Sequence, residues 1–147
     1  MTIEILRTIF NRDLGKLKLE IESYENEESL WSTAPGIANS GGNLCMHLIG
    51  NLNTYIGAAL GGTNYVRDRN LEFSAKDVPR SVLIEKIAET TTVIDAALKN
   101  LTPDQLQSEY PLLVLEAKTS TEYFLIHLAT HLSYHLGQIN YHRRLRL

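Results

Sequence analysis

Apolar residues recur along this chain at the spacing of helices rather than of strands. In the first segment they stand three or four positions apart, at Ile3, Leu6, Phe10, Leu14, Leu17, Ile21 and Tyr24. This stripe predicts an amphipathic helix over roughly residues 3–25. A similar stripe between Leu83 and Leu101 predicts another helix that begins near Pro79, because proline is tolerated in a first helical turn.

Two further helices are indicated by their end signals. The segment Asn39-Ser40-Gly41-Gly42 predicts the start of a helix that runs to about Leu60, where two glycines end it. Thr119-Ser120-Thr121-Glu122 fits a capping box and predicts a last helix that runs to the C-terminus. Residues 113–115 are interpreted either as a short extended stretch or as loop.

Four helices in 147 residues predict one all-α domain over residues 1–147, folded as a four-helix bundle. The connection between the second and third helices is long, covering about residues 61–78, and it carries a cluster of charges at Arg67, Asp68, Arg69 and Glu72. Long ordered connections often cross a bundle or carry function.

Charge and composition exclude several classes of protein. The net charge of −3 gives no overall basic field, so we expect no general binding of nucleic acid. No window is apolar enough for a membrane span, and the N-terminal segment lacks the apolar core of a secretory leader. The single cysteine, Cys45, excludes an internal disulfide and fits a reducing compartment, so a cytoplasmic location is expected.

The second helix lies in a segment without charge, since no Asp, Glu, Lys or Arg occurs between Ser29 and Val66. A helix that faces water normally carries charges on that face. This helix is therefore expected to be covered by its own bundle or by a second subunit, and we predict a homodimer. The other interpretation is that Asn and Thr side chains alone form its wet side.

Four of the five histidines follow one face of the last helix, at His127, His131, His135 and His142. At about 100° per residue they lie within about 80° of one another, but the helical rise spreads them over about 22 Å. Only a neighbouring pair can therefore bind one ion. Position 132 is leucine, so the HExxH pattern of zinc proteases, with its glutamate base, is absent.

The fifth histidine, His47, belongs to a polar row in the second helix that also contains Asn43, Asn51 and Tyr55. Metal sites in bundles are built from such rows on facing helices. A third imidazole would complete a set of three protein ligands and leave a position open, as in catalytic sites. From spacing alone, metal binding and ordinary packing of core histidines remain equally open.

The last helix as a whole reads H-L-A-T-H-L-S-Y-H-L-G-Q-I-N from His127 to Asn140. This pattern resembles the DinB family, also called the DinB/YfiT-like metalloenzymes, and specifically a branch without an assigned reaction. The resemblance implies a four-helix bundle with His47, His131 and His135 as metal ligands. It also implies a divalent ion, nickel or zinc, and in some members transfer to a low-molecular-weight thiol.

The chain departs from that pattern at His127, one turn before the pair. Two roles are open to this residue, replacing His131 or bonding a ligand from outside the coordination sphere. The resemblance favours His131 as the ligand, because Gly137 and Gln138 follow the pair. His142 is expected at the surface near the helix end, where it suits the helix dipole. Further candidates for contact with ligands or substrate are Asn51, Tyr55, Gln138, Arg67 and Arg69, the arginines through a substrate carboxylate. Cys45 lies about 200° around the helix from His47 and is interpreted as a small buried residue.

Two classes of function are consistent with these features. One is a metal-dependent transferase or hydrolase that acts on a small molecule held between the second and last helices. The other is a non-catalytic helical dimer in which the histidines hold a structural ion or none.

Overall fold

The computed structural model describes residues 1–147 and contains six α-helices and no strand. In chain order they are α1 (Thr2–Glu22), α2 (Gly41–Leu52), α3 (Arg69–Ser74), α4 (Arg80–Lys99), α5 (Pro103–Gln107) and α6 (Thr121–Leu145). A 3₁₀ turn covers Glu28–Trp31, and a π-helical turn covers Asn53–Ala58 directly after α2. The prediction of an all-α helical bundle is confirmed.

The core forms where the four longer helices meet. The stripe on α1 is buried as predicted, with Leu6, Phe10 and Leu17 among its core residues. α1 packs mainly against α4 and α6, while α2 packs against α3, α4 and α6. This arrangement places α2 and α6 side by side, and these are the two helices that carry histidines.

α2 is covered by its own chain. Ser40 caps its start by accepting a hydrogen bond from the backbone N–H of Asn43, and every residue of the helix except Met46 is buried. The lack of charge in this helix is therefore explained within one chain. The α-helix ends at Leu52 and continues as a π-helical turn to Ala58, so the predicted helix to about Leu60 is present but changes type in its second half.

The long connection after α2 contains a helix that the sequence pattern did not predict. Asp68 caps α3 by accepting a hydrogen bond from the backbone N–H of Leu71. Asn43 then holds this short helix against α2, because its Nδ2 donates to the carbonyl oxygens of Glu72 and Ala75. The connection is thereby fixed over the end of the bundle at which the histidines lie.

The start of α6 differs in detail from the prediction. Ser120 is the N-cap and accepts a hydrogen bond from the N–H of Tyr123, so the predicted capping box of Thr119 and Glu122 is not formed. A capping box does occur at α5, between Thr102 and Gln105. Residues 113–115 are loop, not strand.

His142 is buried, which corrects the prediction that it lies at the surface. Its Nδ1 lies 2.8 Å from the hydroxyl of Tyr24, and its Nε2 lies 2.8 Å from the carbonyl oxygen of Ser32. Since the carbonyl can only accept, Nε2 carries the proton and Nδ1 accepts from the tyrosine. The residues that cover His142 come from distant parts of the chain, which helix spacing does not reveal.

None of the six helices combines the length and the apolar character that crossing a membrane requires.

Candidate metal centre

Three histidines from two helices converge beneath the connection that contains α3. His131 and His135 lie one turn apart on α6, with their Nε2 atoms 3.1 Å from each other. His47 on α2 faces them, and its Nε2 lies 3.3 Å from that of His131. All three ligand atoms lie within 4.8 Å of one another, so this group could hold a metal ion.

The separations between these nitrogen atoms fit ligands of a common ion. Imidazole nitrogen binds zinc at about 2.0–2.1 Å, which puts neighbouring ligand atoms of a tetrahedral ion about 3.3–3.4 Å apart. The two shorter separations observed, 3.1 and 3.3 Å, are close to that spacing. Two of the three pairs therefore have the spacing of neighbouring ligands on one ion, and the third pair lies within 4.8 Å.

Hydrogen bonding turns the Nε2 atom of His47 toward the other two rings. Its Nδ1 lies 3.0 Å from Oε1 of Glu72 and 3.3 Å from a guanidinium nitrogen of Arg67. The carboxylate can only accept, and its contact is the shorter, so we place the proton on Nδ1, donating to Glu72. The lone pair on Nε2 is then free for an ion, in the manner of carboxylate–histidine–metal sites.

Glu72 is itself held rigidly. Arg67 donates to both of its carboxylate oxygens, from Nε at 2.7 Å and from a terminal nitrogen at 2.9 Å. Its side chain is only 4% exposed. The carboxylate lies so close to α2 that a Cβ atom at position 50 would overlap it, and the residue there is Gly50. Glycine at this position lets the carboxylate approach the helix backbone.

His135 is oriented in a similar way by a neighbour on its own helix. Its Nδ1 lies 2.7 Å from Oε1 of Gln138, so a proton on Nδ1 donates to that amide oxygen and Nε2 keeps its lone pair. His131 lacks such a partner, because its buried Nδ1 makes no hydrogen bond. Two of the three rings are therefore fixed with an acceptor nitrogen facing the shared space.

Burial keeps two of these histidines uncharged near neutral pH. Loss of solvent lowers the pKa of His131 to about 4, and the neighbouring histidines act in the same direction. Burial also lowers the pKa of His47, with Glu72 opposing the shift. Neutral imidazole is the form that binds metals, so both rings are ready to coordinate without first losing a proton.

A cavity of about 370 Å³ lies beside the histidines and brings several of the predicted residues together. Its lining includes His47 and His131, and the other predicted residues on its wall are Asn51, Tyr55, Arg67, Arg69 and His127. His127 stands outside the group of three, with its ring centroid 6.4 Å from that of His131. Of the two arginines, Arg67 donates its hydrogen bonds to the carboxylate of Glu72.

The family model described as "Protein of unknown function (DUF1572)" matches residues 4–145. The chain belongs to this family. No curated protein matches it. The family's description carries no DinB name, so the DinB resemblance stays a prediction.

Some residues of this DUF1572 site could not be found by reasoning from the sequence. Glu72 was recognised only as part of a charge cluster, although it makes the closest polar contact of His47. Phe124, Leu128 and Val114 also line the cavity and were not singled out. The one available signal for Glu72 was its position five residues after Arg67, a short separation at which opposite charges can form an ion pair.

Proposed function

We propose that this protein is a metal-dependent enzyme in which His47, His131 and His135 hold a divalent ion beside the substrate cavity. The observation that carries the proposal is the orientation of the rings. Two of them donate through Nδ1, to Glu72 and to Gln138, and the three Nε2 atoms meet in one place.

The chemistry of the site follows from its ligands. When bound, a divalent ion held by three neutral imidazoles would keep its full charge and lower the pKa of a water or thiol that coordinates it. His47 and His131 line the cavity, so a molecule held there lies next to the reactive position. We propose transfer to a low-molecular-weight thiol as the reaction, with hydrolysis as the alternative for the same site.

We propose nickel or zinc as the ion. Imidazole nitrogen suits both, and the site contains no thiolate that would favour a softer metal. The only cysteine, Cys45, is fully buried, and burial raises the pKa of its thiol to about 12. It therefore offers neither a ligand nor a nucleophile.

Metal analysis of protein purified without a histidine tag tests the site. We expect close to one nickel or zinc ion per chain in the wild type, and loss of that ion in His47→Ala, His131→Ala and His135→Ala. His127→Ala is the matched control, because it removes a histidine from the same face of α6 but outside the group of three. Circular dichroism of each variant checks that the helices are retained.

Metal loss in His127→Ala with retention in His131→Ala would reassign the ligand. Absence of metal from the wild type, even after incubation with zinc and nickel salts, would contradict the proposal.

A second measurement separates an enzyme from a structural metal site. The protein loaded with cobalt is titrated with 2-mercaptoethanol while its visible absorption is recorded. A change in the spectrum is expected, because a thiol that enters an open position alters the coordination of the ion. An unchanged spectrum would indicate a closed structural site and favour the non-catalytic bundle.

A further inference from the structure

The charged side chains that line the cavity beside the three histidines are all positive, which indicates the charge of a ligand. No aspartate or glutamate lines it, whereas Arg67 and Arg69 both do. Arg67 is neutralised by Glu72, which accepts two hydrogen bonds from it. Asp68 lies between the two arginines in sequence but caps α3 and is not part of the wall.

Arg69 is the charge on this wall that remains unpaired. It takes part in no salt bridge and makes no side-chain hydrogen bond, and its guanidinium carbon lies 5.8 Å from the centre of the Phe73 ring. Stacking on an aromatic face holds a guanidinium while leaving its N–H groups free. Its five donors form a planar fork that matches a carboxylate.

Asn51 provides an independent sign of a polar ligand. Its side chain lines the cavity, the residue is only 7% exposed, and its buried Oδ1 has no hydrogen-bond partner. Its Nδ2 donates no hydrogen bond either. A buried acceptor left without a partner is unfavourable, so a ligand with an N–H or O–H group aimed at this oxygen gains a specific contact.

One part of the wall is apolar. Phe124 and Leu128 of α6 contribute to it, together with Val114 from the loop before that helix. The volume of about 370 Å³ falls at the small end of ligand-binding cavities, which span about 300–1,000 Å³. A small organic molecule fits this space.

We propose that this cavity binds a small organic carboxylate, whose anionic group pairs with Arg69 and whose apolar part lies against Phe124, Leu128 and Val114. The Oδ1 atom of Asn51 accepts a hydrogen bond from an N–H or O–H group between these two ends. The inference rests on the proposed function, since it names the class of substrate for the same site, but the pairing with Arg69 uses no metal ion.

Binding of matched probes tests the proposal. Phenylacetate, 3-phenylpropanoate and 4-phenylbutanoate are titrated into the full chain, each alongside its uncharged amide, and backbone NMR shifts report binding. The titrations are made with protein treated with a chelator and with protein loaded with zinc. At least one carboxylate is expected to bind both forms about tenfold more tightly than its amide, a difference of about 1.4 kcal/mol.

Arg69→Gln is expected to reduce the affinity for that carboxylate to the level of its amide. Arg144→Gln is the matched control, because this arginine also lies beside an aromatic ring, 5.9 Å from the centre of Tyr141, but on the distant end of α6. The Arg144→Gln variant should bind the carboxylate with the affinity of the wild type. Metal content is measured in both variants and should remain unchanged.

Each result bears on a different claim. Equal binding of acid and amide, binding unaffected by Arg69→Gln, or no binding by any of the three carboxylates would overturn the inference while leaving a metal site intact. Carboxylate binding that requires zinc and ignores Arg69 would also overturn it. Binding that depends on Arg69 in a protein that never takes up metal would support the inference and contradict the proposed enzyme.

Discussion

At the scale of single residues, the sharpest prediction concerns Glu72. It accepts a hydrogen bond from His47 Nδ1 and thereby fixes the ring with Nε2 toward the other histidines. Loss of such a supporting carboxylate typically weakens metal affinity 10–100-fold. We expect Glu72→Gln to lower zinc affinity by about that factor, measured by competition with a chromogenic chelator.

Glu89→Gln is the control for this variant, because Glu89 is an exposed glutamate on α4 without a salt bridge. It should bind zinc as the wild type does. Glu72→Gln also leaves Arg67 without a counter-charge. Thermal unfolding of the metal-free variant is therefore recorded in parallel, to check that it is correctly folded. Wild-type zinc affinity in a correctly folded Glu72→Gln variant would contradict the role given to this carboxylate.

The site residues differ in how far the sequence could reveal them. His131 and His135 were predictable because helix geometry alone puts positions four apart on one side. His47 required a polar row on another helix and a family resemblance. Glu72 lies 25 residues beyond His47 and reaches it only because Asn43 holds α3 in place. Such a contact depends on tertiary packing that no local pattern encodes.

At the scale of elements, the contact between α2 and α3 depends on Gly50. A methyl group there would overlap the carboxylate of Glu72. Gly50→Ala is therefore expected to displace Glu72 and weaken zinc binding, although alanine favours a helix over glycine by about 1 kcal/mol. Isothermal titration with zinc measures the effect.

Gly15→Ala is the control for that substitution. Gly15 lies within α1, and an added Cβ would meet no atom within 4 Å. This variant should bind zinc normally and gain about 0.4–1 kcal/mol in the free energy of unfolding, since alanine restricts the unfolded chain. Unchanged zinc affinity in Gly50→Ala would show that Glu72 adjusts its position without consequence.

The end of α6 is tied to the rest of the bundle through His142. Tyr24 donates a hydrogen bond to its Nδ1, and both residues are buried. Tyr24→Phe removes the donor and leaves that nitrogen unsatisfied, so we expect a loss of about 1–3 kcal/mol in the free energy of unfolding, measured with urea.

Tyr134→Phe is the control, because it removes an exposed hydroxyl from α6, the helix that carries His142. This variant should change stability little. Metal content should stay constant in both tyrosine variants. A stability loss in Tyr24→Phe no larger than in this control would mean that the buried contact contributes nothing.

The helices themselves were predictable to different degrees. α1, α4 and α6 carry long regular stripes, and their observed bounds lie close to the predicted ones. The second half of the predicted second helix becomes π-helical, a change that apolar spacing does not signal. α3 has only six residues, too few for a periodic pattern, and its position comes from the cap of Asp68 and the contacts of Asn43.

At the scale of the whole molecule, the uncharged helix no longer requires a second subunit. α2 is buried within its own chain, which explains its composition. The homodimer stays a prediction, and light scattering coupled to gel filtration measures it. A mass of twice 16.6 kDa is expected for the dimer, and a mass of 16.6 kDa would contradict it.

A metal ion at this site would join α2 to α6, so its removal should affect the entire bundle. Binding to the folded state alone stabilises a protein by about 2.7 kcal/mol when the free ion is at 100 times its dissociation constant. For a domain of this size that corresponds to a rise of roughly 5–10 °C in melting temperature. We expect this rise when zinc is added to wild-type protein from which metal has been removed with a chelator.

His131→Ala identifies the source of any stabilisation. Without the central ring of the three, added zinc should leave its melting temperature unchanged, whereas His127→Ala should respond as the wild type does. An equal rise in all three proteins would mean that zinc acts elsewhere on the chain. No rise in the wild type would mean that the three rings pack together in the folded protein without an ion that links their helices.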